Sequence, residues 1–428
     1  MRKIAIIAVL FFIIVTSSFS QTEKKSDWLT KLDKLNITTS FNVQIWAVYT
    51  QGTDVYDTNK KAYSAVGDRL NFTLHRSRYG INAQPYKNLK FNFTFAADFI
   101  GRDAYSALDG GQNNGANPAF RLWQTYFQLR TKSESEQGFL TVGYFTPRIG
   151  RESLTNPLQS TSMEKAWSQN YLRRHLTGIG PGRAVGLNYG GLFFKEGHFV
   201  SMQYDFGLFT PVYQAVGGNS QGSQASPLLV GRTVWMFGDP ESKKYSMGCK
   251  PNHFGKRNGL SIGLSFATEG NTDLYENSLS YGTDFLLNWG QLNVDGDWHI
   301  MTRKANDVDG KDKSVANTGY IRVSYNLPLK NGFTLEPVAS LAQYNGEMEA
   351  IGQILSAHTG MPAGEDQYLD VGFNFYFNPD LKLALHYTFR DGDPGAAGDG
   401  TTINNYFLSG AGAVRHGDWL GLGVSAIF

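Results

Sequence analysis

One cysteine, Cys249, stands in 428 residues. A lone thiol cannot close an internal disulfide, and without Cys/His clusters at ligand spacing the chain has no zinc scaffold either. Charge is also scarce: Asp, Glu, Lys and Arg make up 18% of the chain, against about 25% in ordinary soluble domains. Beyond the first residues no apolar run approaches the ~20 residues of a membrane-crossing helix, and mean hydropathy is −0.31. A bundle of transmembrane helices is therefore excluded. What the chain has in abundance is glycine (48), phenylalanine (29) and tyrosine (22).

The single long apolar run opens the sequence. Arg2 and Lys3 precede Ile4–Val15, and Ser18-Phe19-Ser20 follow in a small-x-small arrangement. Basic start, short apolar centre and small cleavage context describe a secretory signal peptide over 1–20. Residues 21–34 are expected to be a short periplasmic segment, too brief for the plug domain of an active transporter. Removing Arg2 and Lys3 from 39 basic and 37 acidic residues leaves a formally neutral chain. An exported chain without disulfides fits a bacterial envelope.

From residue 35 onward, stretches of nine to twelve alternating residues are separated by turn residues. Leu89, Phe91, Phe93, Phe95, Ala97 and Phe99 share one face, with Lys90, Asn92, Thr94 and Asp98 on the other. Leu381, Leu383, Leu385, Tyr387 and Phe389 oppose Lys382, His386, Thr388 and Arg390 in the same way. Period-2 alternation is the signature of a strand with one apolar face. The pattern predicts strands near 35–50, 68–83, 89–101, 119–131, 138–146, 182–191, 198–209, 229–238, 258–268, 279–290, 291–303, 316–327, 333–344, 367–378, 380–390 and 417–428. Sixteen strands of this length suit tilted membrane strands of ~9–11 residues better than sandwich strands of ~5–6. Tyr49, Tyr79, Trp289, Trp298 and Tyr325, and likewise Trp46, Trp123, Tyr126, Tyr376 and Trp419, are expected in interfacial girdles.

The connectors alternate as well. Long polar gaps (51–67, 102–118, 147–181, 210–228, 345–366, 391–416) follow the odd strands, and most even strands end in tight reversals such as Gln84–Asn88 and Asn378-Pro379. Long loops at one end and short turns at the other are the layout of an outer-membrane barrel with periplasmic termini. The fold class expected over 35–428 is all-β: a 16-stranded antiparallel transmembrane β-barrel. The gap 239–257 breaks the rule, being long where a short turn belongs. It is either a structured periplasmic excursion or a sign that the strand count is off by a pair.

The third long gap is distinctive. Between 146 and 183, six basic residues (Arg148, Arg151, Lys165, Arg173, Arg174, Arg183) outnumber Glu152 and Glu164. Gly143-Tyr144-Phe145-Thr146-Pro147-Arg148 with Arg151-Glu152-Ser153-Leu154 resembles the strand-to-loop passage of phosphate-selective (O/P type) porins. Ser162–Ala166, Gly180–Gly186, Gly231–Glu241 and Phe373–Pro379 are similar to further stretches of that family and of relatives without phosphate selectivity. The resemblance implies a 16-stranded barrel, a homotrimer, and a third loop folded into the lumen as a constriction.

Guanidinium groups on such a loop would concentrate anions and bind their oxygens bidentately. The eight residues of the loop are therefore the expected constriction set, with Glu152 and Glu164 orienting the cations. The alternative is an exterior loop whose charges are solvated. The wall gives no lead: Asp98, Asp205, Asp284, Asp295, Asp297, Glu336 and Asp370 are balanced by Lys90, Arg303, Arg322, Lys382 and Arg390, plus Arg76 and Arg78 if the second strand is bulged. Weak anion preference is thus expected rather than phosphate specificity.

Other patterns carry less. Gly218-Asn219-Ser220-Gln221-Gly222 fits a nucleophile elbow but lies in a Gly/Ser loop instead of a strand–turn–helix. Asp307–Asp312 lacks the closing Glu of a calcium loop. His75, His299 and His386 read as wall residues. The expected function is a passive outer-membrane channel for small hydrophilic and anionic solutes, without enzymatic activity, cofactor, metal or nucleic-acid partner, seated in outer-membrane lipid. Rival readings are a solute-specific channel (for phosphate or an oligosaccharide) with Trp167 and Tyr171 as a sliding track, or a non-conducting barrel with an adhesive or structural role.

Overall fold

The structure, a computed structural model, describes residues 35–106, 119–178, 182–211, 222–306, 312–398, 400–408 and 414–428. The expected signal peptide and the segment 21–34 lie outside these residues, as do most of the Gly218–Gly222 and Asp307–Asp312 motifs.

Sixteen long strands follow one another in antiparallel order: β1 (Thr38–Gln51), β2 (Arg69–Tyr86), β3 (Leu89–Ala96), β4 (Arg121–Arg130), β5 (Phe139–Phe145), β6 (Ala184–Phe193), β7 (Val200–Thr210) and β8 (Leu228–Gly238) form one half. The other half comprises β9 (Gly259–Glu269), β10 (Asn277–Trp289), β11 (Leu292–Lys304), β12 (Lys313–Tyr325), β13 (Thr334–Asn345), β14 (Glu365–Asn378), β15 (Leu381–Asp391) and β16 (Asp418–Ile427). β1 pairs with β2 on one side and with β16 on the other, so the sheet closes without a free edge. Every strand expected from the alternation is present, so the strand count was right at the 239–257 gap.

Burial is inverted relative to a soluble protein. Phe72, Phe373, Leu385, Phe389, Leu422 and Val424 are exposed on the outside, whereas Asp284, Arg322, Glu336, Asp370, Asn374 and His386 are buried inside. The alternation of period 2 produces this directly, since each strand sends one face outward and the other inward. Tyr49, Tyr79, Trp289, Trp298 and Tyr325 stand on the outer surface as a girdle requires, but Trp46, Trp419 and Tyr376 are buried inside. Trp123 and Tyr126 also point inward, toward a lumenal cavity. For these five the alternation register outweighs the aromatic preference for interfaces.

β2 shows how register controls chemistry. Its pairing with β1 shifts between Gln44↔Arg76 and Ile45↔Leu74, leaving His75 as the extra residue of a bulge. A bulge changes which parity faces inward, so Thr73 and His75 before it, and Arg76 and Arg78 after it, are all buried inside.

The third long loop enters the barrel. It carries two helices, α1 (Arg151–Leu154) and α2 (Ser168–Thr177), neither of which is legible in the alternation pattern. Gly150 starts the entry with φ 69°, and a Cβ there would stand 2.8 Å from Leu172 Cδ2, so the turn requires glycine. α2 ends on Gly178 in the left-handed conformation, its N–H donating to the Arg174 carbonyl, a standard glycine stop. Tyr171, Leu172 and Leu176 of α2 join Phe145, Phe209, Met301 and Tyr344 in the largest buried apolar cluster. At about 1.5–3 kcal/mol per buried side chain of this size, the cluster fixes the loop against the inner wall. A third helix, α3 (Ala350–Thr359), lies in the gap after β13.

Candidate functional site

The inner wall is divided by the third loop. On the β8–β15 side, wall and loop are stitched together by charge. Arg322 reaches Asp295 at 2.6 Å and Glu152 of the loop at 3.1 Å. Arg151 pairs with Asp284 (3.2 Å) and Glu241 (2.7 Å), and Arg232 shares Asp284 at 2.8 Å. Asp297 accepts the Glu152 backbone N–H at 3.1 Å. Arg303 donates to the His175 carbonyl at the end of α2, and Lys382 to the Ser160 carbonyl. Tyr171 donates to Asp366 at 2.6 Å, and Arg390 pairs with the same carboxylate. Asp370 is taken by His386 and Thr388. Such buried pairs hold the loop because either partner left alone would be a desolvated charge.

On the other side, against β1–β5, a cavity of about 710 Å³ remains open. Among the described residues its lining includes Arg76, Arg78, Arg102, Arg121, Arg148, Lys165, Arg173, Arg174 and Arg183, but only two carboxylates, Asp98 and Glu164. Asp98 is held by Arg78 at 2.7 Å. Glu164 lies 2.6 Å from both Arg76 and His75. Burial alone would raise the Glu164 carboxyl, but Arg76 and His75 beside it hold it below the usual carboxylate range. Trp123 organises the cations: the guanidinium carbon of Arg183 stands 3.8 Å from its ring centroid and that of Arg78 4.2 Å. Stacking on the negative ring face helps these two cations to stand close together. Carbonyl oxygens assist at the loop, where Lys165 donates to Thr155 and Arg173 to Ser153, each at 2.8 Å.

The residues singled out from sequence thus fall into two groups. Arg148, Glu164, Lys165, Arg173, Arg174 and Arg183 come together on the cavity, joined by Asp98 from the wall. Arg151 and Glu152 do not: both are fully buried between loop and wall, because their charges are consumed by Glu241, Asp284 and Arg322. The two loop carboxylates do not orient the loop cations as expected; each binds a wall cation and so anchors the loop. Asp295, Asp297, Arg303, Arg322, Lys382 and Arg390 are inner-wall residues covered by the loop rather than facing the cavity, and Lys90 is exposed away from it. Sequence reasoning missed Arg102, Arg121 and Trp123 as cavity residues; the Arg121/Trp123 alternation at the start of β4 is their only signal. Trp167 and Tyr171 do not form a continuous aromatic track: Trp167 lies on the cavity lining with Arg390 against its ring at 3.4 Å, whereas Tyr171 is stacked at 3.7 Å on Tyr344 in the packed cluster.

No helix among the described residues is long and apolar enough to cross a membrane, and no group of three or more His, Cys, Asp or Glu there could hold a metal ion. No family model matches the sequence, and no curated protein matches it. Solved structures do match the fold. An anion-selective porin from Comamonas acidovorans superposes with a TM-score of 0.56 at 15% identity, covering 92% of this chain and 99% of the other. The outer membrane channel DcaP of Acinetobacter baumannii gives 0.52 at 14%, covering 92% and 97%. OmpF of Salmonella typhi gives 0.52 at 12%, covering 92% and 98%. At these identities the likeness is one of fold: the 16-stranded closed barrel.

Proposed function

We propose that this chain is a bacterial outer-membrane porin, a passive channel for small hydrophilic solutes with a modest preference for anions. The single observation that carries the reading is the charge of the cavity lining: among the described residues, nine cationic side chains against two carboxylates, in a chain whose Lys+Arg and Asp+Glu nearly cancel. A cationic constriction raises local anion concentration and opposes cations. Passage needs no reaction, so no catalytic residue or cofactor enters the proposal. The closed sheet satisfies its own backbone, and the apolar outside suits lipid, the two conditions for a barrel in a membrane. Likeness in fold to an anion-selective porin and to an outer membrane channel supports the same reading. The homotrimer implied by the sequence resemblance belongs to the proposal, with the native mass of the detergent-solubilised protein as its check.

In the proposed mechanism Arg76, Arg78, Arg148, Arg173, Arg174 and Arg183 attract and guide the anion, while Lys165 adds charge beside them. Asp98 and Glu164 position Arg78 and Arg76. Swelling of liposomes carrying the pure protein tests conduction and preference together. Swelling should be faster with a small organic anion than with an organic cation of equal size; equal rates would remove the anion preference, and no swelling would remove the channel.

A further inference from the structure

The segment between β8 and β9 does not hang below the barrel. Its neck is pinched at the rim, where Arg257 donates to the Asp239 carbonyl at 2.9 Å and the Asn258 N–H to the Asp239 carboxylate at 2.8 Å. From there the chain climbs inside. Tyr245 donates to Asp205 of β7 and stacks at 4.9 Å on Phe139 of β5. Asn252 donates to Glu336 of β13 at 2.8 Å, and Glu241 takes Arg151. At its tip the segment meets the third loop: Cys249 and Thr155 form a parallel bridge, and the Cys249 N–H donates to the Leu154 carbonyl at 3.1 Å. Met247 and Gly248 of the tip line the same cavity as the loop cations.

We propose that residues 239–257 are a second arm of the constriction, entering from the end opposite the third loop, and that this arm positions Arg148. The proposal rests on the channel reading above and extends it to a specificity-determining element. Arg148 is the pivot. Its guanidinium donates to the Met247 carbonyl and to the Ser246 carbonyl, with its Nε 3.6 Å from Asp205. Two of these three partners are neutral oxygens of the arm, which fix the direction of the cation without cancelling its charge. The anion path therefore passes between two chain segments, one from each mouth.

The tip offers a clean test, because a Cβ built on Gly248 makes only ordinary contacts, the nearest with the Leu154 carbonyl at 3.9 Å, and Gly248 lines the cavity. The purified full-length channel is compared with Gly248→Glu, Gly248→Phe and Lys330→Glu, the last an exposed charge change in the short connector between β12 and β13. Gly248→Glu should lower the anion-to-cation permeability ratio by about twofold, and Gly248→Phe should lower single-channel conductance by roughly a third or more; Lys330→Glu should change neither. In Thr155→Cys, mild oxidation should link position 155 to Cys249, since residues opposed across a bridge lie within disulfide reach and no other thiol competes. Unaltered permeation in both Gly248 variants, or no disulfide in the folded barrel, overturns the second arm. A wild-type protein that does not conduct would instead overturn the channel reading, so the two failures are distinguishable.

Discussion

The two sides of the lumen have the same raw material and opposite outcomes. Along β8–β15, acids and bases of wall and loop are paired in buried clusters: Asp284 with Arg232 and Arg151, Asp295 with Arg322, Asp366 with Arg390. Along β1–β5, guanidinium groups line an open cavity in which Arg78 pairs with Asp98 and Arg76 with Glu164, and a tryptophan and backbone carbonyls are further neighbours. The first arrangement is a clamp, and the second is a field. If the chain is the proposed channel, the difference teaches that its selectivity is decided by which charges the inward loop covers. The loop buries Asp284, Asp295 and Asp366 together with the cations that pair with them, and leaves its own Arg148, Arg173 and Arg174 on the cavity.

Four changes break or sharpen that contrast. The largest effect is expected at the clamp. Arg322→Ala strands Glu152 and Asp295 in a buried site, at a cost of about 3–5 kcal/mol for a broken buried pair. The third loop should then become accessible to protease and the anion preference should collapse, with the barrel still formed; a loop as protected as in the wild type would contradict the clamp. Next comes the field itself. Arg173→Gln combined with Arg183→Gln should lower the anion-to-cation permeability ratio by roughly two- to threefold at low salt, with a smaller change at high salt where screening dominates. Reversal potentials at two ionic strengths check it.

A smaller effect is expected from the aromatic support. Trp123→Leu removes two cation–π contacts, each worth about 0.5–2 kcal/mol, so Arg78 and Arg183 should lose their fixed positions while keeping their charge. The permeability ratio should fall by less than in the double arginine variant, and Trp123→Phe should restore part of it. The smallest effect is a pH trend. Burial, and next the Arg173 charge, push the Lys165 ammonium well below its usual range, whereas arginines stay charged. Anion preference should therefore weaken slightly as pH rises, at a pH below that at which an ordinary lysine titrates, and Lys165→Arg should flatten the profile.

The barrel was readable because its strands repeat one short rule many times. Glu152 and Asp295 show where legibility stops. Alternation places Asp295 on the inner face, but nothing local says that a loop residue more than a hundred positions away will cover it. Arg76 and Arg78 were readable only as a condition, since their inward direction depends on the bulge at His75. The 239–257 segment was visible as an exception to the loop pattern, yet its inward path is set by partners scattered over β5, β7 and β13. Helices α1 and α2 were missed for a related reason: their apolar residues pack into a cavity that exists only once the barrel has closed.

The most direct measurement is the zero-current potential of single channels of the pure wild-type protein in a planar bilayer under a KCl gradient. The account predicts stepwise conductance with a potential displaced toward the chloride equilibrium value. Displacement toward the potassium value, or a bilayer that never opens, would contradict it.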